Sequence, residues 1–248
     1  MIRTFITSWA LTAIAAGAFA SIGAAQASEA VGPLQAPLGC PIQYSFSNDN
    51  PFALTWDPCG LTVYDAAGQL IWSVAPCTGP VSLQPGEISV TTWPQTDQAG
   101  NPVLPGNYFL DAPNGLMVTV GQVQTSIAPL GSLRHGRTRG LQLCSPQDPG
   151  ERYLLLASTS MSTGFATCGG QVPLDETRIL LASVANPVVF QRFTGRLDAN
   201  GLSSDPAVAI PDNPQLAGTR LHFVFLVLDP QAPCRVKRIS ETASFTVF

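Results

Sequence analysis

Two histidines, His135 and His222, are all the chain offers for imidazole acid–base work near neutral pH. A Ser-His-Asp arrangement needs its histidine held against a nucleophile and oriented by a carboxylate. His222 lies inside the apolar run "LHFVFLVL", where a hydrogen-bonded core histidine is the expected role. No G-x-S-x-G elbow, H-E-x-x-H helix or phosphate-cradling glycine loop occurs. Glycosidase chemistry needs two carboxylates facing each other across a sugar bond, and the spacing of Glu87, Asp97 and the other acids assigns no such pair. We therefore expect no catalytic residue and no cofactor.

Two further stretches carry groups that bind ions. "DANGLSSD" supplies Asp198, Asn200, Ser203 and Asp205, oxygen ligands at spacings calcium uses, but lacks the closing glutamate of the common calcium loop. An Asn-Gly turn explains the same residues, because both tolerate positive φ, and we adopt it and expect no metal. "RHGRTR" places Arg134, Arg137 and Arg139 together, with "RVKR" (235–238) as a second basic cluster. Three arginines can hold a phosphate, sulfate or carboxylate through paired hydrogen bonds. They can equally form a solvated loop, or lean on an acidic surface of the same chain. Nucleic acid is not an expected partner at net charge −4 with no aromatics interleaved in that loop.

The acidic surface is written into the charge distribution. From Ser28 to Gln122 there is no Lys or Arg, and seven acids give −7; from Val123 onward the balance is +2. Two differently charged halves suggest two domains.

Compartment follows from the amino terminus and the cysteines. "MIRTFITSWALTAIAAGAFASIGAAQA" has one basic residue, an uncharged apolar stretch and Ala25-Gln26-Ala27, the pattern of an export signal cleaved after Ala27. The alternative is an uncleaved anchor over Phe5–Ala25. Cleavage leaves no stable membrane anchor. Cys40 is too far from the apolar stretch, across "SEAVGPLQAPLG", to be a lipid-attachment cysteine. Six cysteines without a C-x-x-C pair, in an exported chain, favour disulfides. They fall three to each half, so each half leaves one thiol over or the halves share a bridge. Cys59 opens one strand and Cys77 follows the return strand of a hairpin, which predicts a Cys59–Cys77 bridge closing about 18 residues and worth about 3 kcal/mol. Cys144–Cys168 is a second expected pairing, with Cys234 competing for either partner.

The elements that must position these residues read as strands. The chain is 45% hydrophobic and 11% charged, with 22 glycines and 22 prolines, a composition of many turns. Alternating Ile42, Tyr44 and Phe46, the "YDAAGQLIW" hairpin, "LQPGE" before "ISVTTW", and "NYFLDA" before "LMVTV" give about seven short strands, a sandwich pattern. Asp97 and Gly100 predict a turn, Pro105-Gly106 a second turn of type II, and Tyr108 the corner tyrosine of an immunoglobulin-like sandwich. In the second half, "RGLQLCS", "RYLLLAS", "TRILLAS" and "TASFTVF" read as β. In "LHFVFLVL", Leu221, Phe223, Phe225 and Val227 face one side and Val224, Leu226 and Leu228 the other, as in a central strand covered on both faces. No window carries an amphipathic helical period. The expected fold is all-β: a signal peptide (1–27), a linker (28–39), an immunoglobulin-like sandwich (40–122), a linker (123–130) and a second sandwich (131–248).

The stretches "FSNDNPFALTW", "CGLTVYDAAGQLIWSV" and "VSLQPGEISVTTWPQTDQAGNPVLPGNYFLDA" carry a resemblance to the BsuPI type of bacterial proteinase-inhibitor domain. The last part also resembles the immunoglobulin-like domain of the flagellar hook-capping protein. "APLGSLRHG", "PGERYLLLAS" and "FTGRLDANGLSSDPAVAIPDNPQLAGTRLHFVFLVLDPQAP" resemble a carboxy-terminal β domain that recurs in secreted bacterial proteins. The first resemblance implies proteinase inhibition, with an exposed loop such as 74–80 offered to a protease cleft. The second implies a secreted or cell-surface location and no particular activity. The expected function is an exported, secreted or periplasmic, non-catalytic binding protein whose partner is an extracellular protease or a cell-surface component. A structural component of the cell surface or matrix is the alternative and a hydrolase on a sandwich scaffold the minor one. Oligomeric state is left open.

Overall fold

Nine residues from Arg220 to Leu228 form the longest strand of the protein, with seven consecutive buried positions. Leu221, Phe223, Phe225 and Val227 join the larger core of the second half, while Val224 and Leu226 join a smaller one on the opposite face. The strand pairs with Arg152–Ser158 on one side and with Val236–Ile239 and Ala243–Thr246 on the other. It is central, as its two-faced apolar pattern requires. The computed structural model describes residues 30–31, 35–58, 61–74, 79–111 and 115–248. The expected signal peptide (1–27), the expected Cys59–Cys77 bridge and most of the 74–80 loop lie outside these residues.

Around the first core the fold is a β-sandwich. One layer has Ala30–Val31, Ile42–Ser47 and Ile88–Trp93; the other has Gln35–Ala36, Leu116–Val120, Gly106–Asp111, Thr62–Asp65 and Leu70–Ser73 in that spatial order. A small pair, Leu54–Trp56 with Val81–Leu83, closes one end. Between the layers lie Ile42, Tyr44, Trp93, Val63, Leu110 and Val118. Two devices hold the turns. Asn48 is fully buried and its amide donates to the carbonyls of Phe52 and Leu83 at 2.9 and 2.8 Å. Tyr108 donates from its hydroxyl to the Leu104 carbonyl at 2.7 Å, the corner-tyrosine bond.

The second core lies between a sheet of Ser126–Leu130, Thr138–Cys144, Ala207–Ala209 and Phe190–Gln191, with Leu202–Ser203 beside Thr138–Cys144, and the sheet built on Arg220–Leu228. Thr138–Cys144 and Arg152–Ser158, joined by "PQDPGE", belong to different layers. Their connecting turn crosses the sandwich.

Several expectations are corrected. Both expected linkers contain strands: Ala30–Val31 and Gln35–Ala36 pair with the first sandwich, and Ser126–Leu130 pairs with Thr138–Cys144. Strand pairing satisfies backbone groups that a loose linker would leave to water. "TRILLAS" (177–183), expected to be β, opens the helix Arg178–Ala185. Thr177 caps it by accepting from the Leu180 N–H, and only Leu180 and Ser183 are buried. With so narrow a buried stripe, the eight residues show no helical period in sequence. Gly106 has no positive φ; it opens the strand Gly106–Asp111 in register with Val120, and the positive φ angles of this region fall at Gln95 and Gly100. The expected Cys144–Cys168 pairing is replaced by two others, Cys40–Cys144 and Cys168–Cys234, with Cα separations of 6.1 and 5.6 Å. Cys168 sits on the turn between Phe165–Thr167 and Gly170–Val172. Cys144 ends a strand on the face turned toward the first sandwich, so each meets a different partner at bridging distance.

Candidate functional site between the two sandwiches

Strand alternation decides which side chains meet across the two halves. In Ile42–Ser47, Ile42, Tyr44 and Phe46 enter the first core, so Gln43, Ser45 and Ser47 point outward. In Thr138–Cys144, Leu141 and Leu143 enter the second core, so Gly140, Gln142 and Cys144 point back at the first sandwich. The two outward faces form a junction. Its polar end is closed by hydrogen bonds. The Gly131 N–H donates to Ser45 Oγ at 2.7 Å, and Ser47 Oγ lies 3.2 Å from Ser132 Oγ. Asp49 Oδ2 accepts from Ser47 Oγ at 2.9 Å and sits 3.1 Å from Arg134 Nε.

All three arginines of the expected anion cluster lie at this junction. Arg134 pairs with Asp49. Arg139 is buried and donates to the carbonyls of Ser132 and Thr138 at 3.1 and 3.3 Å. Burial lowers its pKa from the usual arginine value, with Asp49 opposing that shift. Arg137 lays its guanidinium over Gly86 in the "LQPGE" turn, where an added Cβ would come within 2.9 Å of it. The carboxylate that Arg134 meets belongs to the acidic half of the same chain.

The other end is closed covalently by Cys40–Cys144. Gln95 positions Cys40. It is 2% exposed and in the left-handed region at φ 59°, and its amide accepts from the Gly39 N–H at 2.8 Å and donates to the Pro37 carbonyl at 2.9 Å.

Beside the disulfide the two faces diverge into a cleft of about 520 Å3. Gln43 and Thr92, cross-strand neighbours, line one wall; Gln142, Ser203, Asp205 and Arg196 line the other. Gln142 is only 5% exposed, and its amide has no hydrogen-bond partner among the described residues. Gln43 Oε1, unlike the Gln142 amide, is fully buried without a partner among them. A buried polar group left unsatisfied costs about 1–3 kcal/mol, so this wall favours a ligand that supplies donors and acceptors. Two primary amides, each donating and accepting, complement a peptide unit. Sequence reasoning missed both glutamines, because an outward residue of a strand reads the same whether it faces solvent or a second domain.

Other arrangements that suggest chemistry are structural. Asp198 Oδ1 accepts from the N–H groups of Asn200 and Leu202 at 2.7 and 2.8 Å, so "DANG" is a carboxylate-capped turn. Among the described residues no three His, Cys, Asp or Glu side chains gather as metal ligands. His222 Nδ1 lies 2.7 Å from Ser244 Oγ, with no carboxylate partner on the ring among the described residues. His135 Nδ1 meets Asp212 at 3.0 Å on the surface. In "RVKR", Lys237 and Arg238 reach the fully buried carboxylate of Asp148 at 3.2 and 2.7 Å, and that carboxyl lies below its usual pKa despite burial. Asp175 gathers the loop 160–164, accepting from the N–H groups of Ser162, Thr163 and Gly164 and from three hydroxyls, Ser160 among them. These bonds, led by that of the Ser160 hydroxyl, hold its carboxyl far below the usual range.

These observations define an all-β sandwich protein with two disulfides among the described residues and a polar cleft between two apolar cores. No helix among the described residues is long and apolar enough to cross a membrane. No family model matches the chain, and neither does any curated protein. Among solved structures it is similar to red sea bream transglutaminase, at 10% identity and TM-score 0.24 over 86% of this chain and 30% of that one. It is also similar to Salmonella alpha-2-macroglobulin reacted with methylamine, at 13% identity and TM-score 0.24 over 91% and 15%. The chain spans less than a third of either protein. Likenesses of this size carry no functional argument.

Proposed function

We propose that this is an exported, non-catalytic binding protein that holds a segment of a protein partner in the cleft between its two sandwiches. The observation that carries the reading is Gln43 Oε1, buried without a partner among the described residues on one wall of a cleft whose other wall carries the Gln142 amide and whose walls are tied by Cys40–Cys144. A fixed cleft with unsatisfied amides binds without first having to order itself, which favours affinity. The resemblance of residues 46–112 to bacterial proteinase-inhibitor domains makes an extracellular protease the first partner to test.

The test compares the full chain after export with Gln142→Leu, both as immobilised bait in native culture fluid and titrated against subtilisin-like and trypsin-like proteases. Gln142→Leu keeps a side chain of similar size and removes no side-chain hydrogen bond to the described residues, so we expect its unfolding midpoint to stay close to the parent's. We expect a partner retained by the parent and weakened at least about tenfold by the substitution, the equivalent of about 1.4 kcal/mol. Equal retention by both proteins, or none by either, rejects the cleft as the binding site. Capture of washed cell envelopes rather than a protease would move the partner to the cell surface.

A further inference from the structure

We infer that Arg152 and Arg196 form an anion subsite next to the cleft, suited to a carboxylate or other oxyanion; its assignment to the cleft's ligand rests on the binding reading above. The two arginines are directly opposite each other in the antiparallel pair Arg152–Ser158 and Thr194–Arg196. Residues opposed in this way point to the same face, and like charges placed so repel. Both line a pocket of about 500 Å3 whose other walls are Tyr153, Thr194, Gly195 and Leu228, with no carboxylate among them. Arg196 donates from Nη1 to the Gly150 carbonyl at 3.1 Å, and the Arg152 side chain has no hydrogen bond or ion pair among the described residues.

The nearby acids are committed elsewhere. Glu151 and Asp148 meet Lys237 at 3.1 and 3.2 Å, and Asp205 meets Arg192 at 3.5 Å. Gly195, between Thr194 and Arg196, belongs to the opposite face of the strand, where an added Cβ would fall 2.5 Å from the Tyr153 hydroxyl, itself bonded to the Arg192 carbonyl at 3.1 Å. The pocket thus presents two guanidinium groups, with the Thr194 hydroxyl on the same face of the strand as Arg196, a donor set that matches an oxyanion. Arg196 also borders the cleft that Gln142 faces. A peptide lying in the cleft would bring an acidic side chain or terminal carboxylate to the pair.

The test uses ions alone, so its result does not depend on whether the cleft captures a partner. The 15N-labelled full chain is titrated with sodium sulfate, then sodium acetate, at ionic strength held constant with chloride. We expect saturable shifts centred on Arg152, Thr194, Gly195 and Arg196. Arg196→Gln and Arg152→Gln should each weaken sulfate at least about tenfold, whereas the control Arg178→Gln, on the helix, should leave it unchanged. All three positions are exposed, so the variants keep the parent's spectrum elsewhere. Linear, non-saturating shifts, or equal behaviour of Arg178→Gln and Arg196→Gln, overturn the inference.

Discussion

His222 is an imidazole whose surroundings disfavour its charged form. It is 8% exposed on the central strand, opposite Ser158 on one neighbour and Ser244 on the other, and it bonds to Ser244. Burial, with Arg220 adding to it, lowers its pKa from the ordinary histidine value. The unfolded chain therefore binds a proton in a range where the folded protein does not. Stability must then fall as pH drops from the ordinary histidine pKa toward the lower folded value, and level off below it. We expect urea midpoints to decline as pH falls through the ordinary histidine pKa of about 6.5. In His222→Gln, which keeps a hydrogen-bonding side chain opposite Ser244, that decline should be smaller. An identical decline in both proteins would show that His222 titrates as it does in the unfolded chain.

At the scale of elements, one turn recurs three times. Asp65, Asp97 and Asp198 each accept at Oδ1 from the N–H groups two and four residues on, and each turn has a glycine at the fourth position with φ between 76° and 86°. The surroundings differ. A Cβ added at Gly68 or Gly100 meets nothing within 4 Å, whereas at Gly201 it would lie 2.1 Å from the Ser145 carbonyl oxygen. Gly68→Ala and Gly100→Ala should each cost about 1–2 kcal/mol, the strain of a left-handed alanine. Gly201→Ala should cost a further 1–3 kcal/mol, roughly an overpacking penalty, because backbone must move. Equal unfolding midpoints for the three variants would contradict this ordering. These turns were legible in sequence because donors, acceptor and glycine all lie within five residues. The two-faced strand 220–228 was legible for the same local reason. The helix 178–185 was not, since its amphipathic signal rests on two buried positions. Nor was the cleft, whose walls are brought together by residues nearly a hundred positions apart.

For the whole molecule, the junction combines a polar contact and a covalent one. The net charges of −7 and +2 on the two halves attract in a way that salt screens, while the mostly buried Asp49–Arg134 pair is screened much less and Cys40–Cys144 does not respond to salt. The bridge spans 104 residues of sequence, for which chain entropy alone predicts about 4–5 kcal/mol. We expect Cys40→Ser with Cys144→Ser to lower the melting temperature while both cores remain folded. Small-angle scattering should show a radius of gyration that grows with salt in this variant and stays constant in the parent. A variant whose dimensions ignore salt would show that the polar contacts alone hold the halves. The charge asymmetry of the two halves pointed to such a contact, but nothing in the cysteine spacing singled out Cys40 for Cys144.

That same bridge imposes a timetable on synthesis. Chains are made from the amino terminus at about 5–20 residues per second, so Cys40 emerges about 5–20 s before its partner, 104 residues later. Cys59 and Cys77 are both made within that interval. The first sandwich can complete its hydrophobic core while Cys40 still waits, and any early bridge from Cys40 to a neighbouring thiol must be undone by thiol–disulfide exchange. The yield of the native form is therefore set by how long oxidation is delayed, or by how readily wrong bridges are reshuffled, and less by the stability of either sandwich.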